Sequence, residues 1–368
     1  WLKTLTGSRG SLHSKCLACA EAMGCLEFFV ANVQWLWPTL FLRWGVRWYL
    51  RLYVGWSLRG GDVVCRQILV DRKDRKKEPV TALVEKANEQ HYGNDPKFFE
   101  EHLGPCLKYS ACEWPDGTTD LAQAEVITLK SYQDRAKLEA LPAGSKVLEL
   151  GCGWGSLTLA NCERFPNLHF VAFSNSPQQI EFIRSRAKER GVDKRLTLHV
   201  EDYAVFCTKD SKIPYREATF DAALGIETLE HARNIASLIE AVADRLKPGS
   251  RFFVQSLLHQ SASYLVDDGD WMGRNFFSGG SILSLNSYFH LAPKSLYIEE
   301  IEPISGVGYS LTLLAWLKKM ETKKSEFVAR YGSKFYEGFR AFYVVSAEAF
   351  AANNGCEYMV GYYTFVKR

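Results

Sequence analysis

The chain has 368 residues, of which 47% are apolar and 24% charged, as in ordinary globular proteins with a substantial core. Its 45 basic and 42 acidic residues give a net charge of +3, which is too balanced to indicate a nucleic-acid or membrane partner by electrostatics alone. Among its ten cysteines only Cys16 and Cys19 form a C-x-x-C pair, and neither a second pair nor histidines at ligand spacing follow. We therefore expect no metal site, and free thiols in a reducing, cytoplasmic compartment.

The N-terminal part is predicted to be a helical extension. Residues 26–56 are rich in aromatic side chains, but polar residues interrupt them before an apolar span of about twenty residues is reached. Arginines at every fourth position from 43 to 51 would share one face of an amphipathic helix. Packing on the main domain is the favoured role; contact with a membrane surface or substrate access is the alternative. The charged run DRKDRKKE at 71–78 predicts a solvated linker, which divides the chain into 1–84 and 85–368.

Strand and helix patterns alternate in the main domain. A first helix is predicted over residues 120–141, with Asp120 as its cap and Pro142 as the residue that stops it. Strands are predicted at 146–150, 168–173, 196–200, 220–226 and 249–258, with helices at 155–165, 176–190 and 235–246. Residues 259–295 lack a clear period and predict a loop or lid; a strand at 296–302, helices at 309–330 and 334–352, and a strand at 358–366 follow. This order predicts an α/β fold with a doubly wound, Rossmann-like, mostly parallel sheet of seven strands.

A glycine-rich turn follows the first of these strands. Gly151, Gly153 and Gly155 open the next helix, at the sheet edge where open α/β sheets bind ligands. Their G-x-G-x-G spacing is shorter than the dinucleotide fingerprint G-x-G-x-x-G. Glu149, two residues earlier, suits a ligand that carries a cation rather than a pyrophosphate. The pattern favours S-adenosylmethionine over NAD, and we add Cys152 and Ile226 to the predicted cofactor-binding residues.

Two further strand ends supply candidate cofactor contacts. Asn175 stands where an acidic residue usually holds the ribose hydroxyls, and Gln179 lies one turn into the following helix. Asp202 is a candidate for the adenine amino group and Tyr203 for its ring. The alternatives are a helix cap for Asn175 and a surface turn for Asp202.

Six ordered segments carry a family resemblance. They are KYSACEW…TTDLAQAE (108–125), LELGCGWGSL (148–157), FSNSPQQIEFI (173–183), ETLEHARN (227–234), WMGRNFFSGG (271–280) and NNGCEYMVGYYTFVKR (353–368). Over residues 85–368 the chain is similar to the plant coclaurine N-methyltransferase group of the cyclopropane-fatty-acid-synthase-like methyltransferases.

The resemblance implies a class I methyltransferase fold that uses S-adenosylmethionine. It also implies that Tyr109 and Ser110 lie over the cofactor, and that Glu227, Glu230 and His231 line the acceptor site and handle the proton lost from an amine. An alkylamine is mostly protonated at neutral pH, so a carboxylate or imidazole must take its proton before nitrogen can attack. We expect His231 to have the pKa suited to this transfer. The alternative is that ETLEHARN is only a solvated helix start.

The sequence departs from the cyclopropane synthases of the same superfamily at two positions. The resemblance places a bicarbonate ion in those enzymes beside a cysteine and a histidine; Ala111 and Gln255 stand there in this chain, with Cys112 one residue away. Heteroatom methylation is therefore favoured over carbon methylation. Aromatic residues are candidates to line an acceptor pocket for an aromatic or amphipathic amine: Trp271, Phe276, Phe277, Tyr288, Trp316, Phe339, Phe342 and Tyr343.

The sequence thus predicts an S-adenosylmethionine-dependent N-methyltransferase of a small-molecule amine. Methylation of a thioether sulfur or of a lipid acyl chain is the alternative within the superfamily. A cofactor-binding module without activity is the alternative outside catalysis, and a nicotinamide dehydrogenase ranks third. The sequence leaves room for a homodimer.

Overall fold

The computed structural model describes residues 39–57, 79–81, 95–214, 217–266 and 271–368. The C-x-x-C pair, the charged run 71–78, residues 26–38 and the boundary at 84 and 85 lie outside these ranges. Our predictions for them, including the two-part division of the chain, stay predictions.

A twisted sheet organises the main domain. Its strands are β1 (Lys146–Leu150), β2 (His169–Ser174), β3 (Leu196–Val200), β4 (Phe220–Ile226), β5 (Leu246–His259), β6 (Tyr264–Leu265), β7 (Ser281–Ser284), β8 (Leu296–Ser305) and β9 (Tyr358–Lys367). Neighbouring strands are parallel in the order β3-β2-β1-β4-β5; β9 then runs antiparallel to β5, and β8 antiparallel to β9. This confirms the doubly wound, mostly parallel arrangement, but the predicted count of seven strands was wrong, because the described residues form a sheet of nine strands. β7 and β6 extend the sheet from the end of β5.

Helices cover both faces of the sheet, as parallel strands with apolar residues on both sides require. The helices are α1 (Thr39–Ser57), α2 (Pro96–His102), α3 (Leu121–Arg135), α4 (Ser156–Arg164), α5 (Pro177–Glu189), α6 (Tyr203–Phe206), α7 (Ile235–Ala243), α8 (Trp271–Asn275), α9 (Ser287–Leu291), α10 (Val307–Thr322), α11 (Lys324–Tyr331) and α12 (Ser333–Ala351). The predicted cap of α5 is confirmed, because Ser176 accepts a hydrogen bond from the backbone of Gln179 and Gly191 follows the helix with φ 66°.

Several predictions of element boundaries were wrong; among them, the helix predicted at 309–330 is divided into α10 and α11. α3 ends at Arg135 rather than just before Pro142, because Lys137 adopts a left-handed φ of 53°. α7 ends at Ala243, and the chain is already in β5 at Leu246. The segment 259–295 is not a bare loop: it contains β6, β7, α8 and α9, since β7 pairs with the end of β5 through a tertiary contact that periodicity does not record.

Helix α1 packs against α12 and confirms the predicted amphipathic helix for its described residues. Leu42 and Val46 are buried against the domain. Arg43 Nε lies 2.5 Å from Glu348 Oε1, and Arg47 also pairs with this carboxylate, which is 1% exposed. Arg43 and Arg47 thus tie α1 to α12 through a single buried carboxylate. Within the described ranges, no helix is both long and apolar enough to cross a membrane.

Candidate active site

Most of the predicted site residues lie at the carboxyl ends of β1, β2, β3 and β4, where an open α/β sheet binds ligands. Register places the end of β1 beside β4, since Leu150 pairs with Gly225. Ile226, the last residue of β4, pairs with Gln255 in β5. Glu227 therefore leaves the sheet directly beside Gln255, and the glycine turn lies on its other side.

The three glycines of the turn differ in what a side chain at each position would meet. Gly151 has φ 63°, and a Cβ there would collide with the side chains of Thr228 and Tyr203. A Cβ on Gly155 would strike Ile183 of α5. Gly153 has φ 52°, and a Cβ there would meet nothing within 4 Å. Only Gly153 therefore leaves open space for a ligand. The predicted role of Gly151 and Gly155 in making room for a ligand was wrong, because their missing side chains make room for neighbouring protein side chains.

Glu149 is a buried carboxyl group beneath this turn. It is 4% exposed, and its Oε2 accepts a hydrogen bond of 2.8 Å from Thr158 Oγ1 in α4. Burial raises the pKa of Glu149 to about 8. A cation beside the group would favour its charged form and lower that pKa again. The residue therefore fits a positively charged cofactor. Cys152 is also buried, and its N–H bonds to the carbonyl of Phe173, which fixes the turn to β2.

The end of β2 presents a polar pair. Because Ser176 caps α5, the alternative of a capping role for Asn175 was wrong; Asn175 is half-buried at the strand end. Gln179 is 1% exposed, and its Oε1 accepts a hydrogen bond of 2.8 Å from Ser174 Oγ. The amide of Gln179 is thus oriented by the strand that precedes it.

The end of β3 is held by its own hydrogen bonds. Asp202 Oδ1 accepts from the N–H of Ala204 at 2.7 Å and from Thr81 Oγ1 at 2.8 Å, so the carboxylate caps the short helix α6. Tyr203 bonds through its hydroxyl to Thr228, and its ring meets Phe173 edge-on at 5.7 Å. Tyr203 therefore connects β3 to the glycine turn and to the segment after β4. The cofactor roles of both residues stay predictions.

Tyr109 and Ser110 lie between α2 and the sheet. The ring of Tyr109 is half-buried, with its centroid 5.1 Å from Phe99 and 5.3 Å from Trp316. Ser110 is 8% exposed and accepts a hydrogen bond of 2.7 Å from Lys108 Nζ.

Glu227 has the most constrained geometry in the site. It adopts a left-handed φ of 46°, which is costly for a residue with a Cβ and is typical of functional positions. Its Oε1 accepts a hydrogen bond of 2.8 Å from the N–H of Ala111 and another from Gln255 Nε2. Burial raises the pKa of Glu227 to about 7, while Lys108, Ala111 and Gln255 each act to lower it. The carboxyl group is thus poised between its two protonation states near neutral pH.

Glu230 and His231 are placed differently. Glu230 is 1% exposed, its Oε1 accepts a hydrogen bond of 2.5 Å from the N–H of Leu257, and burial raises its pKa to about 8. His231 is half-buried, with its ring edge-on to Phe277 at 5.1 Å, and burial lowers its pKa to about 4. The expectation that His231 has the pKa suited to taking the proton was therefore wrong. Glu227 has that property, because it keeps a stabilising cation and two hydrogen-bond donors.

The sequence did not indicate that Tyr132 and Lys108 belong to the site, nor that Gln255 contacts Glu227. Tyr132 bonds through its hydroxyl to Gln255 Oε1 and, at 3.2 Å, to the carbonyl of Ala111. Lys108 is buried beside Ser110. Strand register could have placed Gln255 next to Glu227. A lysine is ordinarily expected at the surface, so the sequence held no signal for the burial of Lys108.

Most of the predicted acceptor-side aromatics do come together. Phe276 stacks on Phe342 at 4.5 Å and meets Phe339 edge-on at 5.3 Å, which joins the lid segment to α12. Trp271 lies 5.2 Å from Phe276, and Trp316 lies 5.8 Å from Tyr343.

Tyr288 is the exception among these aromatics. It packs against Tyr363 and Phe365 in a separate core cluster, so its assignment to the acceptor pocket was wrong.

Comparison with known proteins places the chain in a family. The family model described as mycolic acid cyclopropane synthetase matches residues 81–357. An (S)-coclaurine N-methyltransferase of Thalictrum flavum subsp. glaucum is 29% identical over 303 residues, which cover 78% of this chain and 81% of that protein. A cyclopropane-fatty-acyl-phospholipid synthase of Escherichia coli K12 is 24% identical over 269 residues, covering 72% of this chain and 64% of that protein.

A solved structure supports the fold over nearly the whole chain. Coclaurine N-methyltransferase bound to N-methylheliamine and SAH superimposes with a TM-score of 0.81 at 23% identity. The match covers 95% of this chain and 100% of that chain. This likeness confirms the class I methyltransferase fold.

Proposed function

The chain belongs to the mycolic acid cyclopropane synthetase family of S-adenosylmethionine-dependent methyltransferases, and we propose that it methylates the nitrogen of a small-molecule amine. The observation that carries the proposal is Glu227, a carboxyl group held by Ala111 and Gln255 with a pKa of about 7. A general base works best when its pKa lies near the operating pH. Nitrogen methylation needs such a base because the acceptor must lose a proton.

The proposed mechanism assigns separate tasks to the residues of the site. The cofactor, when bound, supplies a methyl group on a positively charged sulfur. The residues that would hold it are Tyr109, Ser110, Glu149, Gly151, Cys152, Gly153, Gly155, Asn175, Gln179, Asp202, Tyr203 and Ile226. Among these, Gly151 and Gly155 would act by shaping the turn, since their missing side chains make room for neighbouring protein. The carboxylate of Glu227 binds the ammonium form of the acceptor and takes its proton, which leaves the nitrogen lone pair to form the new N–C bond. The S–C bond to the methyl group would break in the same step, and its electron pair would stay on sulfur as S-adenosylhomocysteine leaves. Glu230 and His231 complete the acceptor wall, and the anchored Glu230 fixes the segment after β4 to β5.

The aromatic cluster favours an acceptor with an aromatic or apolar body. Phe276, Phe339 and Phe342 contact one another between the lid segment and α12. Aromatic faces attract both apolar rings and cations. The similarity to a coclaurine N-methyltransferase supports nitrogen as the methylated atom.

A lipid acyl chain is the second candidate acceptor, favoured by the similarity to a cyclopropane-fatty-acyl-phospholipid synthase. Ala111 and Gln255 argue against it. The amide of Gln255 bonds directly to Glu227, at the place where our sequence comparison puts a histidine in the cyclopropane synthases.

The test is to incubate the protein with S-adenosylmethionine and a panel of amines, thioethers and unsaturated phospholipids, and to follow S-adenosylhomocysteine release. We expect release with an amine, and a loss of about 100-fold or more in Glu227→Gln. Turnover of a thioether or phospholipid alone would contradict nitrogen methylation. Cofactor binding without any release would instead indicate a binding module.

We also propose that α1 contacts a membrane surface that contains anionic lipid. Leu40, Trp44 and Trp48 are 75%, 67% and 61% exposed, and the exposed Arg51 adds a positive charge to a helix that contains no acidic residue. Tryptophan and arginine are suited to the boundary between headgroups and acyl chains. Co-sedimentation with vesicles containing phosphatidylserine should fall in Trp44→Ser/Trp48→Ser. Concentration-dependent dimerisation without vesicle binding would assign this face to a second copy of the chain.

A cytoplasmic location is proposed as well, supported by the free thiols among the described cysteines.

A further inference from the structure

Lys108 is a buried cation whose ammonium group is bonded to neutral atoms. Its residue is 1% exposed, and Nζ donates to Ser110 Oγ at 2.7 Å and to the carbonyl of Ala111 at 2.5 Å. The same group lies 5.1 Å from the centre of the Tyr132 ring. A buried charge is costly unless opposite charge lies near it. The position of Lys108 therefore points to a nearby anion that it serves.

The bonds around Lys108 close into a ring that includes Glu227. The backbone of Ala111 accepts from Lys108 and donates to Glu227 Oε1 at 2.8 Å. Gln255 donates to the same carboxylate oxygen and accepts from Tyr132, and the ring of Tyr132 lies beneath Lys108. The cation, the backbone that orients the carboxylate, and the carboxylate are therefore parts of one connected unit.

We propose that Lys108 is a positioning residue for methyl transfer: it fixes the Ala111 backbone that holds Glu227 and supplies the positive charge that keeps Glu227 a carboxylate. The proposal deepens the proposed function, because it rests on Glu227 as the proton acceptor. It assigns no contact with the substrate to Lys108.

Among the residues that the structure describes, the other titratable groups that interact with Glu227 do not supply positive charge. Cys112, Tyr132, Glu230 and Tyr309 all interact with it electrostatically. Burial raises the pKa of Cys112 to about 11 and that of both tyrosines well above the ordinary value, so these three groups stay neutral at neutral pH. Glu230 is an acid and acts in the opposite sense to a cation.

Glu125 is a second carboxyl group near Lys108. It is fully buried, accepts from the N–H of Lys108 at 3.3 Å and from the N–H of Cys106 at 2.8 Å, and has a pKa raised by burial. The charge of Lys108 acts to lower the pKa of Glu125 and of Glu227 alike. A test must therefore observe the two carboxylates separately.

The experiment is a carbon NMR titration of the full chain labelled with ¹³C at the glutamate carboxyl carbons. The resonance of Glu227 is assigned by its absence in Glu227→Gln, and that of Glu125 by its absence in Glu125→Gln. In Lys108→Met the titration midpoint of Glu227 should rise by about one pH unit or more. Lys130→Met is the matched control, because it removes a lysine that is exposed and paired with Asp134 on α3. That control should leave the midpoint of Glu227 unchanged.

An unchanged midpoint in folded Lys108→Met would overturn the proposal. If Lys108→Met does not fold, Lys108→Met/Glu227→Gln decides the matter, because removing both charges should restore much of the lost thermal stability. If the double variant instead loses as much thermal stability as the two single substitutions together, Lys108 has a purely structural role. The titration needs no amine, so its result holds even if the wild-type protein methylates no amine at all. Such a failure to methylate would refute the proposed function and leave the electrostatic effect of Lys108 on Glu227 intact.

Discussion

Gln255 and Glu227 are joined side chain to side chain across the ends of β5 and β4, with the amide nitrogen donating to Oε1 of the carboxylate. The N–H of Ala111 donates to the same oxygen at 2.8 Å. One oxygen of the proposed base is thus fixed by a neighbouring strand and by the loop before α3. The position of the base therefore depends on the sheet as well as on the loops around the site.

Gln255→Met should weaken the base while preserving side-chain volume. Losing a hydrogen bond to a carboxylate costs about 1.5–3 kcal/mol, so the pKa of Glu227 should rise above 7 and kcat/KM at pH 7 should fall about tenfold or more. Activity should recover towards pH 9. Gln133→Met is the control, since Gln133 is also buried but bonds to Asn161. Equal pH profiles for the two variants would contradict the role of Gln255.

The pH dependence of catalysis should identify Glu227 rather than His231 as the base. Because only the carboxylate accepts a proton, kcat/KM should rise with pH and level off above about 7, the pKa of Glu227. His231→Ala should keep this midpoint, since the pKa of His231 is about 4. The measurement is a pH profile with two amines of different pKa, which separates enzyme from substrate ionisation. If the midpoint of the kcat/KM profile is lost in His231→Ala, His231 rather than Glu227 is the base.

Glu230 should make the protein less stable as the pH rises. Its pKa of about 8 in the folded state exceeds its ordinary value of 4.5, so the folded state holds the proton more tightly than the unfolded state. The resulting stability is fully present below about 4.5 and is lost as the pH rises through about 8. Glu230→Gln should therefore gain stability over wild type between pH 5 and 8, on the order of 3 kcal/mol.

The measurement for this effect is urea unfolding at both pH values. Glu326→Gln, on the exposed surface of α11, removes the same charge and serves as control. An equal change in both variants would mean that burial of Glu230 has no part in the effect.

Gly153 should be needed for cofactor binding more than for folding. Gly153→Ala and Gly144→Ala both place a Cβ in open space at a left-handed φ, 52° and 82° respectively. Each should therefore cost a similar stability, about 1 kcal/mol. Only Gly153 lies at the ligand-binding end of β1, so only Gly153→Ala should weaken S-adenosylhomocysteine binding in calorimetry. Equal affinities in the two variants would show that the cofactor does not approach the backbone at Gly153.

The sequence was sufficient to predict the sheet because its strands are short apolar runs separated by strong helix signals. Ser176, Pro177 and Gly191 marked both ends of α5, and both were confirmed. The predicted strands β1, β3 and β4 agree with the structure to the residue. In each case a local pattern determines the element.

The features that the sequence did not reveal depend on contacts between distant residues. β7 exists because Leu283 pairs with Leu258, and Tyr288 belongs to a core cluster on β9 rather than to the acceptor side. The pKa order of Glu227 and His231 follows from burial and from Lys108, which no spacing reveals. Residue types can therefore indicate the chemistry of a site, while the assignment of the proton requires the three-dimensional surroundings.

The placement of β9 has a consequence for synthesis of the protein. β9 lies between β5 and β8 and pairs with both, although it follows both in the chain. On the ribosome, β5 and β8 are therefore made before the strand that joins them, and each presents an unpaired edge to other chains. Completion of the sheet must wait until residues 358–367 have left the exit tunnel, so a chain stalled before that point carries two open edges and is prone to aggregate.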